Sequence, residues 1–208
     1  VSSGVSSVSA GKSHSLFVKT DGSLWAMGAN TSSQLGDGAT TNLSTPLQVV
    51  SSGVSSASAG LNHSLFVKTD SSLWAMGSNA RGAFGIDTST DSPTPFVILS
   101  SGVASASAGG EFSLIVGTDG SLLSTGRNTY GQLGNVDTAD ALSTFQILAS
   151  GVSSASAGLG GTSLFVKTNG SLWGMGNNQY SQLGDDNTTN RSTPVLIESS
   201  GVLFADAG

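Results

Sequence analysis

The dipeptide Gly-Val recurs at Gly4, Gly53, Gly102, Gly151 and Gly201, in steps of 49, 49, 49 and 50 residues. A fixed period of this length constrains the fold strongly, because each unit must bury its apolar face against the next. "SLWAMGANTSSQLGDG" from Ser23, "SLWAMGSNARGAFGID" from Ser72, "SLLSTGRNTYGQLGNV" from Ser121 and "SLWGMGNNQYSQLGDD" from Ser171 are one piece of four successive repeats. The chain therefore reads as one repeat domain over 1–208. Its units run approximately 4–52, 53–101, 102–150 and 151–200, and 201–208 starts a fifth. The extra residue of the last step falls in "GLGGT" at 158–162, where the second repeat has "GLNH". An insertion tolerated there implies a surface loop.

Within a repeat the pattern is all β. "HSLFVKT" from His14 and "SLWAMG" from Ser23 are short apolar runs separated by Asp-Gly. That dipeptide predicts a hairpin with a tight primed turn, since such turns need φ > 0. Asp70–Ser71 is the weak member of the series, because Ser enters that conformation less readily than Gly. A small-residue strand such as "VSSASAG" from Val54 precedes the hairpin, and a fourth run such as "TPLQVV" follows it. Pro46, Pro95 and Pro194 are read as opening that fourth run, where a missing N–H is tolerated. Each repeat is thus a four-stranded antiparallel sheet with both faces apolar: Leu16 and Val18 oppose Phe17, and Leu24 and Ala26 oppose Trp25 and Met27. Sheets stacked face to face cover both sides, so the predicted fold is a β-propeller with the Ser/Ala strand at its crowded inner edge.

"HSLFVKTDGSLWAMGANTSSQLGDG" followed by "TP" resembles the regulator-of-chromosome-condensation repeat over essentially the whole chain. The resemblance implies a propeller and no single activity. Members include a nucleotide-exchange factor for a small GTPase, a plant ultraviolet photoreceptor and bacterial protein inhibitors of β-lactamase. The photoreceptor's chemistry does not carry over, because Trp25, Trp74 and Trp173 hold one repeat position, a core-packing pattern, without a further Trp cluster. No insertion breaks the even repeats to supply an exchange surface. The family usually closes seven blades, whereas four are present here. The ends also duplicate one another, as "SSGVSSVSAG" and "SSGVLFADAG". Together with a first residue other than Met, this leads us to expect a segment of a longer ring or a ring completed by a neighbouring chain, joined through exposed strand edges.

Composition narrows the function classes. The net charge is −6, and the seven Lys and Arg are scattered. That argues against nucleic acid, whose binding needs clustered cations. Cysteine is absent, which removes disulfides and thiolate sites. No apolar run reaches the length of a membrane span. His14 and His63 share one repeat position, taken by Phe112 and Thr162 in the other repeats, and are read as structural rather than as metal ligands. Asp37, Asp87, Asp91, Asp137, Asp140, Asp185 and Asp186 cluster in loops at changing spacings, matching no calcium motif, and are read as solvated turn residues. Neither a nucleophile elbow, a carboxylate pair nor a phosphate loop is present, so no catalysis and no cofactor are expected.

What remains is the variable surface after each "MG" or "TG". Arg81, Arg127, Tyr130, Gln179 and Tyr180 lie there, with Phe84 just beyond. Tyr and Arg on rigidly held loops are the usual anchors of protein recognition. The plainer alternative, tolerated loop substitution, stays open. The expected function is a non-catalytic binding or assembly module recognising a protein or glycan. Its low charge and Ser/Thr/Asn-rich surface suit an extracellular bacterial or viral surface protein, such as an adhesin or tail fibre. An enzyme inhibitor and a purely structural spacer or filament are the alternatives.

Overall fold

The computed structural model describes residues 4–208. Four four-stranded antiparallel sheets follow one another, each with its strands in sequence order. Blade 1 contains β1 (Val5–Ala10), β2 (His14–Lys19), β3 (Leu24–Gly28) and β4 (Leu43–Val50). Blade 2 contains β5 (Val54–Ala59), β6 (His63–Lys68), β7 (Leu73–Gly77) and β8 (Ser92–Leu99). Blade 3 contains β9 (Val103–Ala108), β10 (Phe112–Gly117), β11 (Leu122–Gly126) and β12 (Ala141–Leu148). Blade 4 contains β13 (Val152–Ala157), β14 (Thr162–Lys167), β15 (Leu172–Gly176) and β16 (Arg191–Glu198). The fold is an all-β propeller arrangement of four blades in an open series; residues 201–208 continue past blade 4 without forming a sheet.

The alternation read from the sequence decides which side chain enters which junction. Leu16, Leu24, Ala26 and Leu35 of blade 1 meet Phe66, Met76 and Trp74 of blade 2. Blades 2 and 3 repeat the arrangement with Leu65, Leu73 and Phe84 against Ile115 and Leu123. Blades 3 and 4 repeat it with Leu114, Leu122 and Leu133 against Phe165, Met175 and Trp173. Cross-strand partners Phe17 and Trp25 stack with ring centroids 6.0 Å apart, and Lys19 Nζ caps the indole at 4.4 Å from its centroid. Blades 2 and 4 build the same sandwich with Phe66–Trp74–Lys68 and Phe165–Trp173–Lys167. Blade 3 changes all three residues together, to Ile115, Leu123 and Gly117.

The inner strands explain why Ser alternates with Ala there. Ser9 Oγ accepts from Ala59 N at 3.0 Å, Ser58 Oγ from Ala108 N at 3.0 Å and Ser107 Oγ from Ala157 N at 3.0 Å. Each hydroxyl thus satisfies a backbone donor of the next blade, where a larger side chain would push the strands apart.

Two local expectations need correction. The hairpin turn is not the two-residue primed type: Gly22 has φ +77° while Asp21 is not left-handed, and Lys19 N bonds Ser23 O across a three-residue loop. This is the hairpin whose last loop residue takes the left-handed bulge position, which is why only one residue of each pair needs φ > 0. Ser71 occupies that place at φ +64°. The prolines lie inside their strands rather than at the start. Pro46 is the fourth residue of β4, where the ladder is irregular between the Ala26–Leu47 and Gly28–Leu43 pairs. An outer-edge strand with a broken register has no ladder bond for proline to remove.

Candidate partner-binding surface on the loop ends of blades 2 to 4

Each loop following β3, β7, β11 or β15 is organised by one asparagine that the sequence reading did not single out. Asn30, Asn79, Asn128 and Asn178 are fully buried. Asn30 Oδ1 accepts from Leu35 N at 3.0 Å, and its Nδ2 donates to Asp37 Oδ1 at 2.8 Å and Ala39 O at 3.2 Å. Asn128 and Asn178 repeat the scheme with Leu133 N and Leu183 N, and Asn79 does so with Phe84 N. The backbone N–H of the same asparagine donates to the Asn42, Asp91, Asp140 or Asn190 side chain. The loop acids Asp37, Asp91, Asp137, Asp140 and Asp185 therefore accept from their own loops. Among the described residues no three His, Cys, Asp or Glu converge as a metal site.

These loops set the candidate anchors. Ser32, Arg81, Tyr130 and Tyr180 occupy one repeat position, two residues past the asparagine. Phe84 departs from the sequence reading. It occupies the position of Leu35, Leu133 and Leu183, is 1% exposed and belongs to the core between blades 2 and 3. Its backbone N–H is fastened to Asn79 Oδ1 at 2.9 Å, so the side chain turns inward from the loop and meets no partner. Gln179 is exposed, and Tyr180 is 86% exposed at the open end of blade 4.

Arg81, Arg127 and Tyr130 are held on one continuous surface. Arg81 Nη1 reaches across to Asp140 Oδ2 of blade 3 at 3.1 Å. Arg81 and Glu111 line the cleft between blades 2 and 3, and Glu111 also lines the cleft between blades 3 and 4. There Arg127 Nη1 meets Glu111 Oε2 at 3.1 Å, its Nε donates to Thr129 Oγ1 at 3.1 Å, and its guanidinium lies 5.9 Å from the Tyr130 ring centroid. Tyr130 in turn rests on Gly161 of the inserted loop: a Cβ there would meet its Cδ2 at 2.7 Å. The resulting cleft, about 160 Å³, is bordered by Gln132, Leu159 and Gly160. It is smaller than pockets for whole drug-sized ligands and suits a single side chain of a partner. Glu111, Leu159, Gly160 and Gly161 are not among the expected site residues. Their signal is departure from the repeat, since Glu111 stands where Ser13 and Asn62 stand elsewhere.

The two histidines lie beneath this surface and join blades. Ser64 Oγ donates to Gln34 O at 2.7 Å, so His14 Nε2, 2.9 Å away, carries the proton and donates to that hydroxyl. His63 Nε2 meets Ser113 Oγ at 3.2 Å in the same way, with Ser113 Oγ donating to Ala83 O at 2.7 Å. Burial pushes the His14 pKa down to about 4 and that of His63 down to about 3, the latter helped by His14 nearby. Both are neutral latches. Phe112 takes the position in blade 3, packed over Gly109, while Ser163 Oγ still donates to Gln132 O at 2.8 Å.

The regulator of chromosome condensation (RCC1) repeat matches this chain at 5–34, 54–83 and 103–132 in one form, and at 21–67 and 169–205 in another. Together these segments cover more than half the chain. Comparison with curated protein sequences finds no match. Human WBSCR16 superposes with a TM-score of 0.83 at 26% identity, over 97% of this chain and 56% of that one. Prp20p from Saccharomyces cerevisiae, described with its binding properties to Gsp1p and histones, superposes with a TM-score of 0.79 at 21% identity, over 94% and 50%. Yeast RCC1 (Prp20) bound to Kap60 gives 0.81 at 21%, over 94% and 49%. At 21% identity the yeast structures speak for the fold alone, and the chain spans about half the length of these proteins. The chain belongs to the regulator of chromosome condensation repeat family.

Proposed function

We propose that this chain is a non-catalytic binding module that grips a protein through the loop ends of blades 2 to 4, with Arg81, Glu111, Arg127 and Tyr130 at the centre. One observation carries the reading: charged and aromatic departures from an otherwise even repeat converge on adjoining clefts that share Glu111. Tyr offers a large, rigid contact surface with only two χ angles to fix, and Arg a planar fork of donors, which suits both to anchoring interfaces. The proteins named with Prp20 in its structures, Gsp1p, histones and Kap60, make a protein the favoured class of partner. The low charge and Ser/Thr/Asn-rich surface favour a place in a larger bacterial or viral surface protein.

Affinity capture and a glycan array, run with the native chain and with Tyr130→Ala and Tyr180→Ala, test this. The expected outcome is a captured protein lost at least tenfold in Tyr130→Ala with the fold unchanged, and a blank array. A captured enzyme whose turnover stops on binding would assign the inhibitor reading. Capture of no protein by the native chain would assign the structural-spacer reading, and binding unaffected by either variant would overturn this surface as the site.

A further inference from the structure

One residue of blade 3 takes a backbone conformation that its side chain opposes, and nothing inside the chain offsets the strain. The loop after β11 turns at Val136, where φ is +78°. A β-branched side chain is a genuine outlier there, because its two Cγ atoms crowd the backbone. The conformation belongs to the repeat rather than to this residue. Gly38, Asp87 and Asp186 hold the same place in the other blades, at φ +79°, +60° and +61°. Glycine and aspartate both enter the left-handed region far more readily than valine.

A bond to the next blade imposes the turn. Val136 N donates to Ser192 O at 2.9 Å, as Gly38 N donates to Pro93 O at 2.9 Å and Asp87 N to Leu142 O at 3.0 Å. Each acceptor is the second residue of the next blade's outer strand. Pinned in this way, the loop holds whatever residue stands at this place in the left-handed region.

For the fold alone, valine is the poorest of the three residue types used. Val136 is 73% exposed, the most exposed large apolar side chain of blades 2 and 3. A valine stabilises a fold through the apolar area it removes from water, and this one removes little. Backbone strain without a compensating contact points to function. Its position agrees. Gly131, the residue after Tyr130, packs on the same Ser192: a Cβ built there would stand 2.5 Å from Ser192 Cα. Val136 therefore stands on the outer-strand side of the junction whose cleft carries Arg127 and Tyr130.

We propose that Val136 is a contact residue of the partner-binding surface and meets an apolar side chain of a protein partner. An isopropyl group offers neither a hydrogen bond nor a charge. The attraction it can add is apolar area removed from water, so the partner must be apolar where it lands. The inference deepens the reading of the Arg127–Tyr130 surface and rests on it.

Selection of a phage-displayed library of random peptides on the native chain supplies the probes. Their affinities are then measured for the native chain, Val136→Gly, Val136→Asp, Val136→Ile and Tyr130→Ala, with urea midpoints for each. Val136→Gly is expected to unfold at higher urea than the native chain, yet to bind the peptides about tenfold more weakly, the worth of burying one valine side chain. A residue serving the fold alone would move stability and leave binding unchanged. Val136→Asp, the residue of blades 2 and 4 at this place, should fold and lose binding to a similar extent, whereas Val136→Ile should keep it. Replacing the apolar anchor of a selected peptide by Ser should abolish the difference between the native chain and Val136→Gly. Equal binding by Val136→Gly and the native chain overturns the inference, and so does a Val136→Gly chain that gains no stability. Peptides that need Tyr130 and are indifferent to Val136 overturn this inference alone. Peptides indifferent to both residues, or a selection that yields none, overturn the surface reading with it.

Discussion

The junction between blades 1 and 2 and the junction between blades 3 and 4 are built to one plan and differ where they reach the loop end. At the first, His14 latches onto Ser64, and the loop surface above carries Ala29, Thr31 and Ser32. At the third, Phe112 replaces the latch, and the surface carries Glu111, Arg127 and Tyr130 beside an inserted glycine loop. The serine-to-carbonyl bond persists at both. The repeat thus separates what every junction needs, a sealed apolar face and a satisfied serine, from what one junction adds.

The sharpest way to break this distinction is to cut into the shared part. Phe84→Ala removes a fully buried ring and should cost about 3–5 kcal/mol, while Tyr180→Ala, at an exposed position, should leave denaturant midpoints unchanged. Similar effects from both would mean that Phe84 belongs to the loop surface after all.

Acid separates the histidine junctions from the phenylalanine one. His14 and His63 are held to about 4 and about 3 in the fold, against 6.5 for a free histidine. Below pH 6.5 the unfolded chain takes up protons that the fold refuses until those lower values are reached. Stability present above pH 6.5 is therefore lost as the pH falls toward 4 and 3, by on the order of 3 kcal/mol for each latch. Urea titrations from pH 7 to pH 4 should show the loss, and His14→Phe with His63→Phe should flatten it. Hydrogen exchange should show β2 and β6 opening before β10 as the pH falls.

A smaller effect is expected at the hairpins. Ser71→Gly relieves a left-handed serine that the other three blades avoid by using glycine, and should stabilise the chain by about 1 kcal/mol. Smallest of all is Arg127→Ala: its partly exposed pair with Glu111 is worth about 0–1 kcal/mol, so the melting temperature should barely move.

Much of the architecture is legible in the amino-acid sequence itself. Period-two alternation around a glycine-bearing turn identifies the hairpins, and the 49-residue period identifies stacked blades, because Leu16 and Phe17 cannot both be buried within one sheet. Three things are hidden. Phe84 reads as part of the loop it follows, although its alignment with Leu35, Leu133 and Leu183 marks it as core. Asn30 and its counterparts look like ordinary loop residues, since nothing local distinguishes a buried asparagine satisfying a whole loop from an exposed one. The Tyr130–Gly161 contact spans two blades and exists only once the sheets are stacked. Candidate function is legible as variability, and its focus on Glu111 is not, because the two clefts that share this residue are formed by three different repeats.

The most direct test of the central claim replaces the added surface and leaves the shared junction intact. A chain carrying Glu111→Asn, Arg127→Ser and Tyr130→Ser restores residues already used at these positions by blades 1 and 2. Quantitative affinity capture with this chain and the native one, at matched thermal stability, is the measurement. The account predicts an unchanged fold and the loss of the captured protein partner. Equal capture by both chains would contradict it.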